Sequence, residues 1–328
     1  MKFFKKLILC SFISLFISLL LCAFYFRGAI TLTLDIMSNL KSSNKSIETL
    51  AEIKDYYPLE SMDIKNLNYK NCDNSFIDVF FSNLDDSPSS VIIYLHGGAW
   101  IYGNNAIPVG MEPILEAFND KGYTIISLSY ELLSDNIDIS KPISDVKDLV
   151  RWIYKNKEIY NFDTDDIGIL GVSSGAHLGM MASYSNEEDF IGDIELSKYP
   201  SKVSYVIDAF GPTELNNLDF NFLNSDLISS KKVSLNDLNS INLINSVYSP
   251  LSYISDNSPK TLIIHSKEDA LVPYENSLKL SSKLKENNIK TTFVTLNSGT
   301  HDFENFENHE IILMSFEILK FLVYNSNL

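Results

Sequence analysis

A serine stands between two glycines in the stretch GVSSG, residues 171–175. The apolar residues IGIL precede it and the helix-like pattern SSGAHLGMMASY follows, so the serine is predicted at a sharp turn from a strand into a helix. Gly171 and Gly175 allow the strand and the helix to approach closely, and Ser173 projects from the apex of the turn. This placement favours Ser173 as a nucleophile.

A serine hydroxyl becomes a good nucleophile only when a base removes its proton and a carboxylate orients that base. His301 lies in a loop after the last predicted strand, at the end of the sheet where Ser173 is expected. The other four histidines are predicted in a glycine loop, within helices or at the end of a strand: His96, His177, His309 and His265. His301 is therefore the predicted base.

The predicted carboxylate is Asp269. It lies in the loop after the penultimate predicted strand, whereas His301 follows the last one. Glu268 and Asp302 are the alternatives, and both are interpreted as solvated loop charges. The chain order Ser173, Asp269, His301, with each residue after a different strand, is typical of a serine hydrolase triad on a parallel sheet.

The stretch HGGAW, residues 96–100, follows a buried predicted strand and offers backbone amides to a developing oxyanion. A further amide is expected at the N-terminus of the helix after Ser173, where the positive partial charge of the helix favours an anion. The predicted oxyanion hole consists of Gly97, Gly98, Ala99 and Ser174. Trp100 and Tyr102 either line an acyl pocket or simply pack.

Strands and helices alternate along the rest of the domain. An opening hairpin is predicted in IKNLNYK and FIDVFFS, and buried strands in VIIYL, TIISLSY, IGIL, VSYVIDAF, TLIIHS and TTFVTL. Helical patterns such as SDVKDLVRWIYKNKEIY separate most of them, so the fold class is α/β with a mostly parallel, doubly wound sheet. Residues 213–258 interrupt the alternation and are predicted to form a small cap-like insertion.

These motifs, together with HGGAWIYGN, DVKDLVRWIYKN, DAFGPTEL and SPLSYIS, resemble the α/β-hydrolase superfamily over roughly residues 60–325. The resemblance is to the esterase/lipase group with HGG-x-W and G-x-S-x-G motifs, which includes carboxylesterase-like, hormone-sensitive-lipase-like and kynurenine-formamidase-like members. It implies the α/β-hydrolase fold and a serine hydrolase without cofactor or metal. Such an enzyme cleaves small carboxylic esters, of short to medium acyl chain, through an acyl-enzyme intermediate.

Two residues depart from the pattern of this group. Ala99 replaces a third glycine, which keeps the amide but restricts the backbone. Glu131 replaces a basic residue, so an ion pair expected there is in doubt. Asp145 and Asp208 recur in the resemblance and are interpreted as structural.

Other functions remain open beside ester hydrolysis. An arylformamidase or a serine peptidase uses the same constellation for amide chemistry. A non-catalytic binding domain is the alternative from another class, because one fold can serve many functions. That alternative usually accompanies a lost triad residue, whereas all three candidates are present here.

The N-terminus is predicted to be a membrane segment. Three lysines precede an uncharged stretch at residues 7–26, which is long enough to cross the hydrocarbon core as a helix. Residues 1–30 are therefore interpreted as an uncleaved anchor, 31–46 as a linker and 47–328 as the hydrolase domain, outside the cytoplasm by the lysine bias. A cleaved signal peptide, giving a secreted protein, and lipidation at Cys22 are the alternatives.

The charge of the chain excludes one class of partner. The formal net charge is −16, and the only charges in the first 30 residues are positive, so the rest of the chain is still more acidic. Such a surface repels phosphate backbones and argues against nucleic-acid binding. Cys72 is the only cysteine after the apolar stretch, so no disulfide within the domain is expected. Nothing in the sequence indicates a particular oligomeric state.

Overall fold

The computed structural model describes residues 63–71, 75–84, 88–107, 115, 118–134, 138–215, 218, 245–301 and 305–325. The chain divides into two units, Met1–Ser46 and Ile47–Leu328, and every described residue belongs to the second. The predicted anchor and linker lie outside the described residues. No helix within the described ranges has both the length and the apolar character needed to cross a bilayer.

The domain is built on one sheet of eight strands in the order β1-β2-β4-β3-β5-β6-β7-β8. The pairs β1–β2 and β2–β4 are antiparallel and all others are parallel. The strands are β1 (Ile64–Leu67), β2 (Phe76–Phe80), β3 (Ser89–Leu95), β4 (Tyr123–Ser129), β5 (Phe162–Val172), β6 (Tyr205–Ala209), β7 (Lys260–Ser266) and β8 (Thr291–Leu296). The predicted opening hairpin and mostly parallel sheet are both present.

Helices connect the strands and flank the sheet. Their bounds are α1 (Ser140–Tyr160), α2 (Ser174–Tyr184), α3 (Asn245–Tyr248), α4 (Glu275–Glu286) and α5 (Asn308–Asn325), with a 3-10 turn at Pro250–Tyr253. All seven residues of β3 are buried, as expected for a parallel strand covered on both faces. The hydrophobic core therefore lies against the faces of the sheet. In such sheets ligands bind beyond the carboxyl ends of the parallel strands, so a functional site is expected there.

One strand is longer than its apolar pattern predicts. The sequence places a strand at IGIL, whereas β5 runs from Phe162 to Val172 and includes polar residues at 163–166. Of these, 163–165 are not buried, so hydrophobicity marks only the inner half of the strand. Most of the predicted cap at 213–258 lies outside the described residues.

A buried ion cluster joins the start of the sheet to α1. Lys70 contacts Asp145 and lies 3.0 Å from Asp148, which in turn is 3.1 Å from Arg151. Asp145 also accepts a 2.6 Å hydrogen bond from the backbone amide of Glu131. Lys70 is thus the basic partner of Asp145, Glu131 contributes its backbone amide, and the contacts of Asp145 are structural.

Candidate active site

Ser173 lies at the turn from β5 into α2, in a backbone conformation that few residues adopt, with φ 53° and ψ −119°. Its amide donates to Ala209 O at 2.8 Å, which ties the turn to β6. A Cβ at Gly171 would come within 2.5 Å of Ala176, and one at Gly175 within 2.3 Å of Leu95 O. Both glycines are therefore required by close backbone approach.

The structure brings the three predicted triad residues together. Ser173 Oγ lies 2.7 Å from His301 Nε2, and His301 Nδ1 lies 2.7 Å from Asp269 Oδ2. These residues are 128 and 32 positions apart, yet they meet because β5, β7 and β8 end at the same edge of the sheet. The imidazole is placed to take the hydroxyl proton while the carboxylate holds its other nitrogen.

Asp269 is held on both carboxylate oxygens. Oδ1 accepts the amides of Leu271 and Val272, each at 2.9 Å, and Oδ2 faces His301 and, at 3.2 Å, His265 Nε2. Burial alone would raise the pKa of Asp269, but hydrogen bonds and charge from His265 and His301 outweigh it and hold the pKa well below its usual range. The carboxylate therefore stays ionised.

The alternative carboxylates have different placements. Glu268 is exposed, and its amide donates to Ser266 Oγ at 3.1 Å. Asp302 lies outside the described residues. Among the described carboxylates, only Asp269 contacts His301.

The remaining histidines differ in burial and in contacts. His309 is exposed and pairs with Glu307 at 3.2 Å. Burial lowers the pKa of both His96 and His177 to about 4, so both are neutral near pH 7. His177 is fully buried in α2 and hydrogen-bonds two segments that are distant in sequence, at Trp100 and Tyr248. His301 is the histidine that reaches Ser173 Oγ.

The loop before His301 is anchored by a residue that the sequence analysis missed. Glu310, in the first turn of α5, accepts the amides of Asn297 at 2.6 Å and Ser298 at 2.7 Å. Gly299 follows with φ 86°, and a Cβ there would come within 2.3 Å of the Phe306 ring. No sequence pattern around Glu310 distinguishes a buried glutamate from an exposed one at the start of a helix.

The predicted oxyanion loop adopts a tight turn beside Ser173. Gly98 has φ 131°, and its carbonyl accepts the amides of Ile101 at 3.0 Å and Tyr102 at 3.1 Å. Ala99 and Trp100 follow with φ 47° and 63°, which are unusual values for residues with a Cβ. A Cβ at Gly97 would lie 3.4 Å from that of Ser173, so this loop packs directly against the nucleophile. Ser174 begins α2, on the other side of Ser173.

Trp100 fixes this loop to the nucleophile helix. Its indole Nε1 donates to His177 Nδ1 at 3.2 Å, and His177 Nε2 donates to Tyr248 O at 2.7 Å. Trp100 is only 2% exposed, which favours the packing interpretation over the pocket interpretation. Tyr102 is partly buried, and burial raises the pKa of its hydroxyl.

Phe210 is a second aromatic residue close to the candidate triad, and the sequence analysis did not single it out. It follows β6 with φ 62°, and its ring is buried. The ring centroid lies 6.4 Å from that of His301 and 5.5 Å from that of His265. Phe210 therefore forms an apolar wall beside both imidazoles.

Asp208 lies on β6, between the strands β5 and β7 that lead to Ser173 and Asp269, and is fully buried. Its Oδ1 accepts the Gly211 amide at 2.8 Å, while Oδ2 has no hydrogen-bond partner among the described residues. Burial raises the pKa of Asp208 to about 7, although the charge of His265 and the Gly211 amide oppose the rise. Its contacts are structural. Within the described ranges, no group of three or more His, Cys, Asp or Glu residues is arranged to hold a metal ion.

Comparisons with solved structures identify the fold. A truncated carbohydrate esterase from gut microbiota superposes with a TM-score of 0.66 at 23% identity, covering 81% of this chain and 99% of that one. Esterase 2 of Thermogutta terrifontis with bound propionate superposes with a TM-score of 0.61 at 22% identity, covering 81% and 94%. Both likenesses place the chain in the α/β-hydrolase fold.

Sequence comparison is consistent with the fold and gives the family. Esterase LipQ of Mycobacterium tuberculosis is 26% identical over 221 residues, covering 65% of this chain and 50% of LipQ. The chain spans about half the length of LipQ and of two further mycobacterial relatives. The BD-FAE family model matches residues 77–284, well over half of the chain. The chain therefore belongs to the BD-FAE family.

Proposed function

We propose that the chain is a carboxylic ester hydrolase in which Ser173, His301 and Asp269 act as a catalytic triad. The observation that carries the proposal is the unbroken contact from the Ser173 hydroxyl through the His301 imidazole to the Asp269 carboxylate, at 2.7 Å for each link. The esterase names of relatives such as LipQ support the reaction class.

In the first half of the reaction, Ser173 Oγ forms a bond to the ester carbonyl carbon while its proton passes to His301 Nε2. The carbonyl electron pair moves onto oxygen and returns when the alcohol leaves, taking the proton from His301. Asp269 keeps the imidazole in the correct tautomer and stabilises its protonated form. The product is an acyl-enzyme on Ser173 and a free alcohol.

In the second half, His301 takes a proton from water, and the resulting hydroxide equivalent attacks the acyl carbon. The tetrahedral intermediate collapses, Ser173 Oγ recovers the proton from His301, and the carboxylic acid leaves. The positions of the two 2.7 Å contacts are suited to both halves because His301 alternates between base and acid.

The amides of Gly98, Ala99 and Ser174 are proposed to hold the oxyanion, with Gly97 shaping the loop. Two features support this assignment: the loop packs against Ser173, and α2 begins at Ser174 with its positive end towards the site. Loss of one such donor typically lowers turnover by ~10²–10³-fold.

The proposed substrate is a small ester of short to medium acyl chain. The structural likeness to an esterase that holds propionate supports a short acyl group. A carbohydrate esterase is another structural neighbour, which is compatible with a sugar as the alcohol portion. The acyl preference itself is tested by hydrolysis rates on p-nitrophenyl esters of increasing chain length.

The same assay tests the triad. Ser173→Ala and His301→Ala are each expected to lower kcat by at least ~10⁴-fold, because the nucleophile and the base act as one unit. A folded Ser173→Ala protein with wild-type turnover would refute the proposal. A formamide and a peptide amide serve as comparison substrates, and faster hydrolysis of either than of any ester would assign amide chemistry instead.

We also propose that residues 1–30 anchor the domain in a membrane with the domain on the extracytoplasmic side. The proposal rests on the uncharged stretch at 7–26 and on the lysines before it.

A further inference from the structure

A second histidine, His265, lies next to the carboxylate of Asp269 in the candidate triad. It stands in the penultimate position of β7 and is fully buried, as is the side chain of Asp269. Its Nε2 lies 3.0 Å from Val272 O and 3.2 Å from Asp269 Oδ2. Nε2 hydrogen-bonds Val272 O and also faces, at the longer distance, the Asp269 oxygen that contacts His301.

The hydrogen-bond partners of His265 determine which nitrogen carries its proton. Neither Val272 O nor the ionised Asp269 can donate, so Nε2 must carry a hydrogen. On the other side, Nδ1 lies 2.7 Å from Ser277 Oγ, and a hydroxyl can donate to it. The contacts of both nitrogens are therefore met when Nε2 carries a hydrogen that faces Asp269.

Aromatic rings pack around this buried contact. The Phe210 ring lies on one side of His265 and the Tyr274 ring on another, with centroids at 5.5 Å and 5.9 Å. The ionisable groups that face His265 are Asp269, the buried Asp208 on β6 and Tyr274 before α4, with His301 beyond Asp269.

We propose that His265 is a positioning residue that holds the Asp269 carboxylate for His301 by donating its Nε2–H to the shared oxygen Oδ2. This inference rests on the proposed function of Ser173, His301 and Asp269. Two amides fix Oδ1 and two imidazoles meet at Oδ2, so the carboxylate cannot rotate away from His301 without breaking a contact on each oxygen.

The donation also makes the carboxylate a weaker base. An oxygen that already accepts from His265 holds less negative charge for His301, which limits how strongly it favours the protonated imidazole. Removal of the donor should therefore have two effects: looser orientation of His301, and an imidazole that keeps its proton to higher pH.

A matched pair of variants separates hydrogen bonding from packing. His265→Met and His265→Gln have similar length and shape, but only glutamine can donate from the position of Nε2. We expect His265→Met to lower kcat by ~10–100-fold with KM changed less than about twofold, in line with the loss of a hydrogen bond to a charged group. His265→Gln should recover most of the lost kcat.

The pH dependence gives a readout that a purely structural role would not change. The acidic limb of the kcat/KM profile should move to higher pH in His265→Met and stay near the wild-type position in His265→Gln. Equal kcat values and equal acidic limbs in the two variants would overturn the proposal, as would a loss confined to KM.

A measurement on the unmutated full-length chain avoids any loss of folding. ¹⁵N NMR of the histidine rings should show that Nε2 of His265 carries a hydrogen. An Nδ1–H tautomer would overturn the inference. If Ser173→Ala is inactive while His265→Met matches wild type, this inference fails alone; if Ser173→Ala is fully active, the proposed function fails.

Discussion

Asp269 remains charged in a buried site because four donors surround it. Burial opposes the ionised form, and a carboxylate so placed would ordinarily bind a proton more tightly. The imidazoles of His265 and His301 reverse that tendency, and the amides of Leu271 and Val272 donate to the other carboxylate oxygen. Its ionisation therefore depends on the positions of these donors. The adjacent Glu268 is exposed and does not share this environment.

The comparison of Asp269 with Glu268 gives a prediction at this scale. Asp269→Asn should lower kcat by ~10⁴-fold, because an amide in its place favours the wrong tautomer of His301. Glu268→Gln should change kcat less than about threefold, since Glu268 is exposed. Ester hydrolysis by the two purified variants provides the measurement. Equal losses would reassign the orienting carboxylate.

Asp208 gives a second prediction, which concerns stability. Its folded pKa of about 7 lies above the ordinary value of 3.8, so between these pH values the folded protein holds a proton that the unfolded chain has released. The stabilising contribution is therefore present below about pH 4 and is lost as the pH rises through about 7. The loss is on the order of 4 kcal/mol, at ~1.4 kcal/mol per pKa unit.

Asp208→Asn should remove this part of the pH dependence, because the amide is neutral at every pH and can still accept from the Gly211 amide. The free energy of unfolding in urea at pH 5 and pH 8 is the measurement. Asp256→Asn, at an exposed position, is the matched control and should retain the wild-type difference. An unchanged difference in Asp208→Asn would show that Asp208 is already ionised at pH 5 in the folded protein.

At the scale of elements, the turn after β3 combines a strained backbone with several restraints. Ala99 and Trp100 both have positive φ, which is unfavourable for residues with a Cβ. The Gly98 carbonyl accepts two amides of the turn, the Trp100 indole donates to His177 on α2, and the Trp100 carbonyl accepts the Leu133 amide at 2.9 Å. These bonds hold the turn in this conformation beside Ser173.

Substitutions at Ala99 test whether this conformation matters for turnover. Ala99→Gly should keep kcat within about twofold of wild type, because glycine adopts φ 47° without strain. Ala99→Val should lower kcat by ~10²–10³-fold, because a β-branched residue resists that φ and the turn would lose an oxyanion donor. Kinetics on one aryl ester, with circular dichroism as a folding control, distinguish the two. Full activity of Ala99→Val would remove Ala99 from the proposed hole.

At the scale of the whole molecule, the candidate site depends on the order of strands in the sheet. Ser173 follows β5, Asp269 follows β7 and His301 follows β8, with β6 between the first two. Every parallel strand contributes its carboxyl end to the same edge, so residues far apart in sequence meet there. The eight strands and the three candidate triad residues all lie downstream of the predicted anchor.

The proposed anchor gives the last prediction. Protease added outside intact cells or spheroplasts should digest the domain of the full-length protein, and mass spectrometry should find residues 7–26 still attached. A chain that begins at residue 31 should remain in the soluble fraction with full esterase activity. Complete protection of the full-length domain would reverse the orientation, and a mature N-terminus after residue 22 would assign cleavage.

The sequence by itself determined the succession of strands, the turn at Ser173 and the order of the three candidate triad residues. These features are local: β3 contains the apolar run VIIYL, and the two glycines flank Ser173 at a fixed spacing. The chain order of Ser173, Asp269 and His301 then follows from the succession of strands, without knowledge of their spacing in the sheet.

Only the tertiary structure decided which side chains meet between strands. Pairing of Asp208 with Ile263 sets the register of β6 on β7, and pairing of His265 with Thr295 sets that of β7 on β8. These registers place Phe210 against both imidazoles and leave an oxygen of Asp208 without a described partner. Local sequence patterns report burial and turns, whereas contacts between strands depend on sheet order and register, which no single stretch encodes.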